Sequence, residues 1–340
     1  MTQTRNVRVF EMILCSKASH PIGANPKAIL GIMVVSRRQF VLTLLGGAVG
    51  SLLAACQPAA PASQQAPAAA PTAANPLVKP RASGAELTAV QASTELAQGR
   101  NRFAIGLIDA RNQPISTGNV KVEFFKLLAN GQAEKRADST AVFRSVGGPS
   151  KGIWVTPVTF ADTGQWGAQV SLDAGDGAPK AARMNFQVAS KFSTPGYDEP
   201  AVRSVSPTDR DVGGDTSHIC SNSPPCSMHT LSISDALTPG DKPLLLLFAT
   251  PALCTSATCA PELEAVQQLH STYSEKANFI HVEIYQYPFD GLHTAKTVDE
   301  WHLPSDPWTF VIDKTGIVRD RFEGAAPVEE LEPSLKSVLS

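Results

Sequence analysis

The amino-acid sequence predicts a multidomain protein in which an all-β sandwich is followed by an α/β fold. Residues 82–190 show apolar side chains at every second position, which is typical of half-buried strands. In residues 218–340, continuous apolar runs typical of buried strands alternate with segments whose apolar residues recur at the spacing of a helix. A segment rich in Pro, Gly, Ser and Asp, residues 191–217, separates the two patterns and is expected to be a connector. A length of 340 residues agrees with about two domains plus non-globular parts.

The strands of the first domain are marked by residues that share a period of two: Phe103, Ile105, Leu107, Val120, Val122, Phe124, Trp166, Ala168, Val170, Leu172, Met184, Phe186 and Val188. Turn residues separate these runs every 8–15 positions, as expected of a β-sandwich. The stretches G-N-R-F-A-I-G-L-I-D-A and G-Q-W-G-A-Q-V resemble the YtkA-like and other immunoglobulin-like domains of bacterial envelope proteins. This resemblance implies a spacer or a partner-docking module. Some of these relatives bind copper, but no Met/His cluster is present in this domain.

The first predicted element of the second domain is the apolar run 242–248, which indicates a strand buried on both faces. A helix is predicted for about 261–277, a strand for 279–285 and a short helix for 297–303. Two strands, at 308–312 and 317–322, and a last helix at 327–339 complete the order β-α-β-α-β-β-α. That order is the one found in thioredoxin folds.

The first 55 residues carry an export signal. Ser36-Arg37-Arg38-Gln39-Phe40 precedes an apolar run of 14 residues, which is too short for an ordinary membrane-spanning helix. The paired arginines Arg37 and Arg38 resemble the twin-arginine signal, and Leu53-Ala54-Ala55-Cys56 resembles a bacterial lipobox. The resemblance implies export of the folded chain by the twin-arginine machinery, cleavage before Cys56, and a lipid on its sulfur. Met33 is expected to be the true start.

Residues 56–81 are expected to tether the folded part to the cell membrane. Positions 57–80 hold nine Ala, six Pro and one charge, a composition that cannot form a core. We therefore expect an extracytoplasmic, membrane-anchored lipoprotein. Beyond residue 55 the chain has a net charge of -7 and no basic runs, which argues against nucleic-acid binding.

Two cysteines, Cys254 and Cys259, lie between a predicted buried strand and the helix that follows it. The N-terminus of a helix stabilises a thiolate through its dipole and its free N–H groups. One thiol can then attack a disulfide and the other can resolve the mixed disulfide. Cys259 is nearer to the helix, and this favours it as the thiolate.

The segments L-L-L-F-A-T, P-E-L and S-D-P-W-T-F-V-I-D-K-T-G-I-V resemble thioredoxin-like proteins of the TlpA type over about residues 227–340. The resemblance implies a thiol-disulfide oxidoreductase acting on protein thiols and disulfides, with Pro307 in cis facing the cysteine pair and presenting an extended substrate. It needs no cofactor. The family uses C-x2-C, whereas this chain has C-x4-C, and alignment with the family's first cysteine favours Cys254 as nucleophile. The choice between the two cysteines stays open at this point.

Three other functions are weighed against this one. A peroxiredoxin would have P-x3-T-x2-C and an arginine where Pro307 stands, and a copper-delivering Sco-type protein would have C-x3-C-P and a histidine there. His302 lies five residues earlier and is a poor substitute. The third alternative is a non-catalytic envelope lipoprotein with structural disulfides.

A second cysteine pair, Cys220 and Cys226, is expected to form a structural disulfide, because close cysteines in an oxidising compartment usually pair. His218, Cys220, Cys226 and His229, with Met228 beside them, are the alternative: a site for copper or zinc. A redox exchange with Cys254 and Cys259 is a third option. The other histidines carry little signal, and His270 and His281 are expected to be structural.

Overall fold

A computed structural model describes residues 86–175, 177–238, 242–256, 258–291, 293–324 and 326–340 of the chain. The predicted export signal, Cys56 and the tether lie outside these residues. The described residues all belong to one compact unit.

The first seven strands are β1 (Leu87–Gln91), β2 (Gly99–Asp109), β3 (Asn119–Leu127), β4 (Ala133–Ser145), β5 (Gly152–Phe160), β6 (Gly164–Asp173) and β7 (Lys180–Val188). They form one antiparallel sheet in the order β1-β2-β5-β4-β3-β6-β7. Strand β4 pairs with β3 through residues 133–141 and with β5 through 142–145, so it joins two layers into one sheet. Strand β1 contacts β7, which gives the sheet a barrel-like shape. The predicted strands are therefore confirmed, but they form a continuous sheet.

The core of this seven-stranded sheet lies between its two layers and is built by the alternating residues named above. Five aromatic side chains meet there: Phe103, Phe124, Phe160, Trp166 and Phe186. Their rings contact one another edge-on or tilted, with centroids 4.9 to 6.5 Å apart, as aromatic pairs prefer. Four of the five are no more than 1% exposed, and Phe186 is 6% exposed.

The remaining elements are a 3-10 turn (Thr216–His218), α1 (Ile233–Ala236), β8 (Leu244–Ala249), α2 (Cys259–Tyr273), β9 (Asn278–Glu283), α3 (Lys296–Glu300), β10 (Trp308–Ile312), β11 (Val318–Glu323) and α4 (Val328–Val338). From β8 onwards they follow the predicted order. The ends lie within about two residues of the predicted ones, except that α2 ends four residues and α3 three residues before its predicted end. The four strands form a sheet in the order β11-β10-β8-β9. Strand β8 is parallel to β9 and antiparallel to β10, which is in turn antiparallel to β11.

Strand β8 is buried along its whole length, because hydrophobic side chains cover both faces of the four-stranded sheet. Leu245, Leu247 and Ala249 point into the core under α2 and α4. Leu244, Leu246 and Phe248 point into the opposite core, which contains Trp301 and Trp308. The continuous apolar run in the sequence is thus explained by burial on both sides.

The connector predicted for residues 191–217 is packed along β11. Pro200 forms a bridge with Ile317, and the amide of Val318 donates to the carbonyl of Glu199 at 2.9 Å. The amide of Ala201 donates to the carbonyl of Gly316, also at 2.9 Å. These contacts provide hydrogen-bonding partners for backbone groups at the outer edge of the four-stranded sheet, which would otherwise be unpaired.

Buried ion pairs connect the two sheets. Arg102 of β2 forms a two-point contact with Glu330 of α4, at 2.8 and 2.9 Å, and both side chains are about 10% exposed. Its Nη1 also donates to the carbonyl of Glu323 at 2.7 Å. Arg321 of β11 pairs with Glu95 and lies over the ring of Phe192. Two-point contacts of this kind fix the relative orientation of their partners.

Among the described residues, no helix combines the length and the apolar character needed to cross a bilayer.

We expect Arg102→Met to lower the free energy of unfolding by roughly 3 kcal/mol, because it leaves a buried carboxylate without its main partner. Urea denaturation measures this loss. Arg136→Met is the matched control, since Arg136 pairs with Glu134 on the exposed surface, where a loss under about 1 kcal/mol is expected. Equal losses in the two variants would show that the buried pair has no special role.

Candidate functional site

The two cysteines of the predicted redox pair meet at the N-terminus of α2. The chain leaves β8 at Ala249, passes through a short loop that holds Cys254, and enters the helix at Cys259. Thr258, which precedes the helix, makes no capping hydrogen bond with its side chain. Instead, the amide of Cys259 donates to Cys254 Sγ at 3.3 Å. The sulfur of Cys254 therefore occupies the position of a helix-capping acceptor, where the helix dipole favours a negative charge.

The two thiols have different environments. Cys254 is partly exposed, whereas Cys259 is fully buried in the core under α2. The pKa of Cys254 is lowered to about 4, first by the contact of its sulfur with the neighbouring Cys259 side chain, and further by donation from the Ser256 hydroxyl and the amide of Cys259. The pKa of Cys259 is raised by the same contact with Cys254 and by burial. A thiolate at position 254 beside a neutral thiol at position 259 is the favoured state.

A carboxyl group, Asp306, completes this site. The Cys259 thiol donates to Asp306 Oδ2 at 3.2 Å. Asp306 precedes Pro307, and the peptide bond between them is cis, as the sequence predicts. Burial raises the pKa of Asp306. The sequence analysis did not identify this residue, because 47 positions separate it from Cys259 and a lone Asp before Pro carries no motif.

Glu262 is a second acidic group missed by the sequence analysis. It lies in the first turn of α2, is fully buried, and accepts a hydrogen bond from Thr309 of β10 at 2.5 Å. Burial raises its pKa to about 8, although Arg102 opposes this shift. The side chain is thus largely protonated at neutral pH, which lowers the cost of burying it.

The seven-stranded sheet also contributes to the surroundings of the pair. Gly147 lies in the turn between β4 and β5 and has a φ of 71°. A Cβ at this position would lie 3.0 Å from Cγ of Pro261, two residues after Cys259. The β4–β5 turn therefore contacts the first turn of α2. Both the positive φ of Gly147 and its short distance to Pro261 favour glycine at this position.

The second cysteine pair belongs to a separate buried cluster. Cys220 and Cys226 are free thiols in this structure, so the predicted disulfide between them is not formed here. His229 and His281 join them, and the four ligand atoms lie within 4.8 Å of one another. His218, one of the predicted ligands, is not in this cluster: its ring stacks on Tyr287 with centroids 4.2 Å apart. His281 takes its place, and the sequence analysis missed it because it lies in a strand 52 or more positions away.

The ligand atoms of Cys254, Cys259 and Asp306 also lie within 4.8 Å of one another, close enough to share a metal ion. No histidine or arginine is among the described hydrogen-bonding partners of these two sulfurs. His302 lies exposed after α3 and makes no described contact with them. Arg37, Arg38 and Cys56 lie outside the described residues.

We expect the alkylation rate of Cys254 by iodoacetamide to reach half of its maximum near pH 4, because only the thiolate reacts. Cys259→Ala removes the side chain whose contact contributes most to the lowered pKa and should raise the midpoint by at least about one pH unit. Mass spectrometry of the labelled peptide measures the rate, and Cys254→Ser gives the background from other thiols. A wild-type midpoint near the ordinary cysteine value, about 8.5, would contradict this account.

No model of a known protein family matches the chain, and no curated protein matches it. Three solved structures show limited similarity. A thioredoxin-like protein in the oxidised form is 20% identical with a TM-score of 0.25, and the match covers 30% of this chain and 80% of that one. A thioredoxin family thiol:disulfide interchange protein from Chlorobium tepidum is 19% identical with a TM-score of 0.24, over 29% of this chain and 81% of that one. The CARDB domain of a Pyrococcus furiosus protein is 11% identical with a TM-score of 0.20, over 31% of this chain and 96% of that one.

Proposed function

We propose that this chain is a membrane-anchored, extracytoplasmic thiol-disulfide oxidoreductase that uses Cys254 and Cys259. In this proposal the α/β part, from about residue 218, is a thioredoxin-like domain, and the seven-stranded sheet is an immunoglobulin-like domain that precedes it. One observation carries the proposal: the partly exposed sulfur of Cys254 accepts the first free amide of α2 and lies beside a buried thiol.

Cys254 is the attacking residue in this proposal. Its sulfur is the accessible one, and the donors around it lower its pKa to about 4. The sequence left this choice open, because distance from the helix favours Cys259 and alignment with C-x2-C favours Cys254. The hydrogen bond from the Cys259 amide to Cys254 Sγ supports Cys254. Cys259, fully buried and protonated, is suited to resolve a mixed disulfide formed on its neighbour.

The reaction consists of two exchanges. The Cys254 thiolate attacks one sulfur of a substrate disulfide, that S–S bond breaks, and the substrate leaves one thiolate while a mixed disulfide forms. Cys259 then loses its proton and attacks the Cys254 sulfur, which forms the 254–259 disulfide and releases the second substrate thiolate. The substrate gains two electrons, the cysteine pair loses two, and an external dithiol must reduce the pair again. The same steps run backwards for substrate oxidation.

Asp306 is proposed to accept the proton of Cys259. Its Oδ2 already receives the thiol hydrogen, and the raised pKa of the carboxyl makes it a better base. The proton can then pass to a leaving thiolate. Pro307, next in the chain, is proposed to border the place where an extended substrate segment binds.

The location of the protein is proposed from its N-terminal sequence. A signal with Arg37 and Arg38 would direct export, and a lipid on Cys56 would hold the chain at the membrane. The Pro- and Ala-rich residues 57–80 would then separate the folded part from the bilayer by at most roughly 75 Å. Its partners would be protein thiols and disulfides outside the cytoplasm.

We expect the purified chain to accelerate the reduction of insulin disulfides by dithiothreitol, as measured by turbidity, at least about tenfold over the uncatalysed rate. Cys254→Ser should return the rate to background, because it removes the nucleophile. Cys259→Ser should accumulate a mixed disulfide at Cys254 that mass spectrometry detects. Asp306→Asn should slow the resolving step while the first exchange keeps its rate.

Two results would contradict the proposal. One is an equal loss of activity in Cys254→Ser and Cys259→Ser with no mixed disulfide in the latter. The other is a reduction potential for the 254–259 pair well below about -300 mV, which is typical of structural disulfides.

We expect Cys56→Ser to release the protein from the membrane fraction, because the substitution removes the sulfur that would carry the lipid. Fractionation of cells followed by immunoblotting measures the distribution. Cys220→Ser, which leaves the lipobox intact, is the control and should stay with the membrane. Retention of Cys56→Ser in membranes would show that another segment anchors the chain.

A further inference from the structure

Four potential metal ligands from two parts of the chain converge in the core under α2. Cys220, Cys226 and His229 lie in the segment before α1, and His281 lies in the middle of β9. All four are buried, with exposures of 2 to 4%. Buried polar groups need hydrogen-bonding or ligand partners, and these four side chains contact one another through their sulfur and nitrogen atoms.

Three of the six distances between the ligand atoms are close to the edge length of a tetrahedron around one metal ion, and the other three are below 4.8 Å. With a Zn–S bond of about 2.3 Å and a Zn–N bond of about 2.0–2.1 Å, the S–N edge of a regular tetrahedron is about 3.6 Å long. In the structure, Cys226 Sγ lies 3.2 Å from His229 Nε2 and 3.4 Å from His281 Nδ1. Cys220 Sγ lies 3.7 Å from His281 Nδ1.

The imidazole of His281 is oriented as a metal ligand. Its Nε2 lies 3.1 Å from the carbonyl oxygen of Ala249, and a carbonyl can only accept, so Nε2 carries the hydrogen. The lone pair of Nδ1 therefore faces the two sulfurs. Metal-binding histidines generally donate their second ring N–H to a carbonyl or carboxylate in this way.

The ligand-bearing segment is held against β9 by contacts that need no metal. The amide of His281 donates to the carbonyl of Met228 at 3.0 Å, and the amide of Ser221 donates to Glu283 at 2.8 Å. The amide of Cys226 donates to Cys220 Sγ at 3.4 Å, which favours a thiolate there. Such preorganisation reduces the entropy that binding would otherwise cost.

A disulfide between Cys220 and Cys226 explains these observations less well. It would occupy both sulfurs and leave two buried imidazole nitrogens, His229 Nε2 and His281 Nδ1, directed at atoms that no longer carry a negative charge. The tetrahedral ligand set uses all four groups at once.

We infer that Cys220, Cys226, His229 and His281 bind one Zn²⁺ ion in a closed structural site, separate from the proposed redox pair. Two thiolates and two imidazoles form an S₂N₂ set typical of zinc, and four protein ligands leave no position for a substrate. A cavity of about 400 Å³ is lined in part by His229 and His281, so this side of the site is not filled by other side chains.

The zinc site would support the redox loop. His281 hydrogen-bonds to Ala249 at the end of β8, and Ser221 Oγ accepts from the amide of Ala252, which lies in the loop before Cys254. Zinc would thus stabilise the position of that loop. It would also keep Cys220 and Cys226 out of thiol-disulfide exchange in an oxidising compartment.

The test is the zinc content of the full chain, purified from membranes in detergent and measured by inductively coupled plasma mass spectrometry. We expect about one Zn²⁺ per chain in the wild type and in the double variant Cys254→Ser/Cys259→Ser. His281→Ala should retain less than about a tenth of that amount, whereas His281→Cys, which restores a ligand, should retain zinc. His218→Ala is the matched control and should bind zinc like the wild type, since His218 lies outside the cluster.

A second measurement uses cobalt in place of zinc. After removal of the metal by a chelator, Co²⁺ added to the wild type should give the visible absorption of a tetrahedral site and the ultraviolet bands of thiolate coordination. His281→Cys should strengthen the thiolate bands, because it supplies a third sulfur. The inference is overturned if the wild type contains copper or no metal, if peptide mapping shows a 220–226 disulfide, or if zinc disappears in the 254/259 double variant.

Discussion

The hydrogen bond from the amide of Cys259 to the sulfur of Cys254 is the contact on which the proposed chemistry depends. It uses a backbone donor that every helix leaves free at its N-terminus, and it joins the accessible sulfur of Cys254 to the main chain of the residue that carries the buried sulfur. Strand β8, buried on both faces, fixes where the loop begins, and α2 fixes where it ends. In the proposed function, the thiolate is thus stabilised by the position of a strand and a helix, and no cationic side chain is among the described hydrogen-bonding partners of the two sulfurs.

The sequence was sufficient to predict most elements, because their hydrophobic patterns are set by local burial. The run 244–249 and the start of α2 at Cys259 fall within about two residues of their predicted positions, whereas α2 ends at Tyr273, four residues before its predicted end. The single sheet formed by the first seven strands was not predictable, because the exchange of partners along β4 depends on twist and pairing that period-two patterns do not encode.

The residues of the sites were predicted less completely. Cysteine spacing identified Cys254 and Cys259 as the candidate pair, but it left the choice of thiolate open, because distance from the helix favours Cys259 and alignment with C-x2-C favours Cys254. Asp306 and His281 were missed because each reaches its cluster through strand pairing, from 47 or more residues away. His218 was chosen for its nearness in sequence, although it lies beside Tyr287 at the surface.

The ion pairs between the sheets have a thermodynamic consequence for recognition. The two-point contact between Arg102 and Glu330 restricts motion between the two sheets before any partner binds. A partner protein that contacts both sheets therefore does not have to restrict that motion itself. The turn at Gly147, which rests on Pro261, and the loop with Cys254 then form one preorganised surface. A protein that bound across both would lose little of this chain's conformational entropy, so more of its contact energy would remain as affinity.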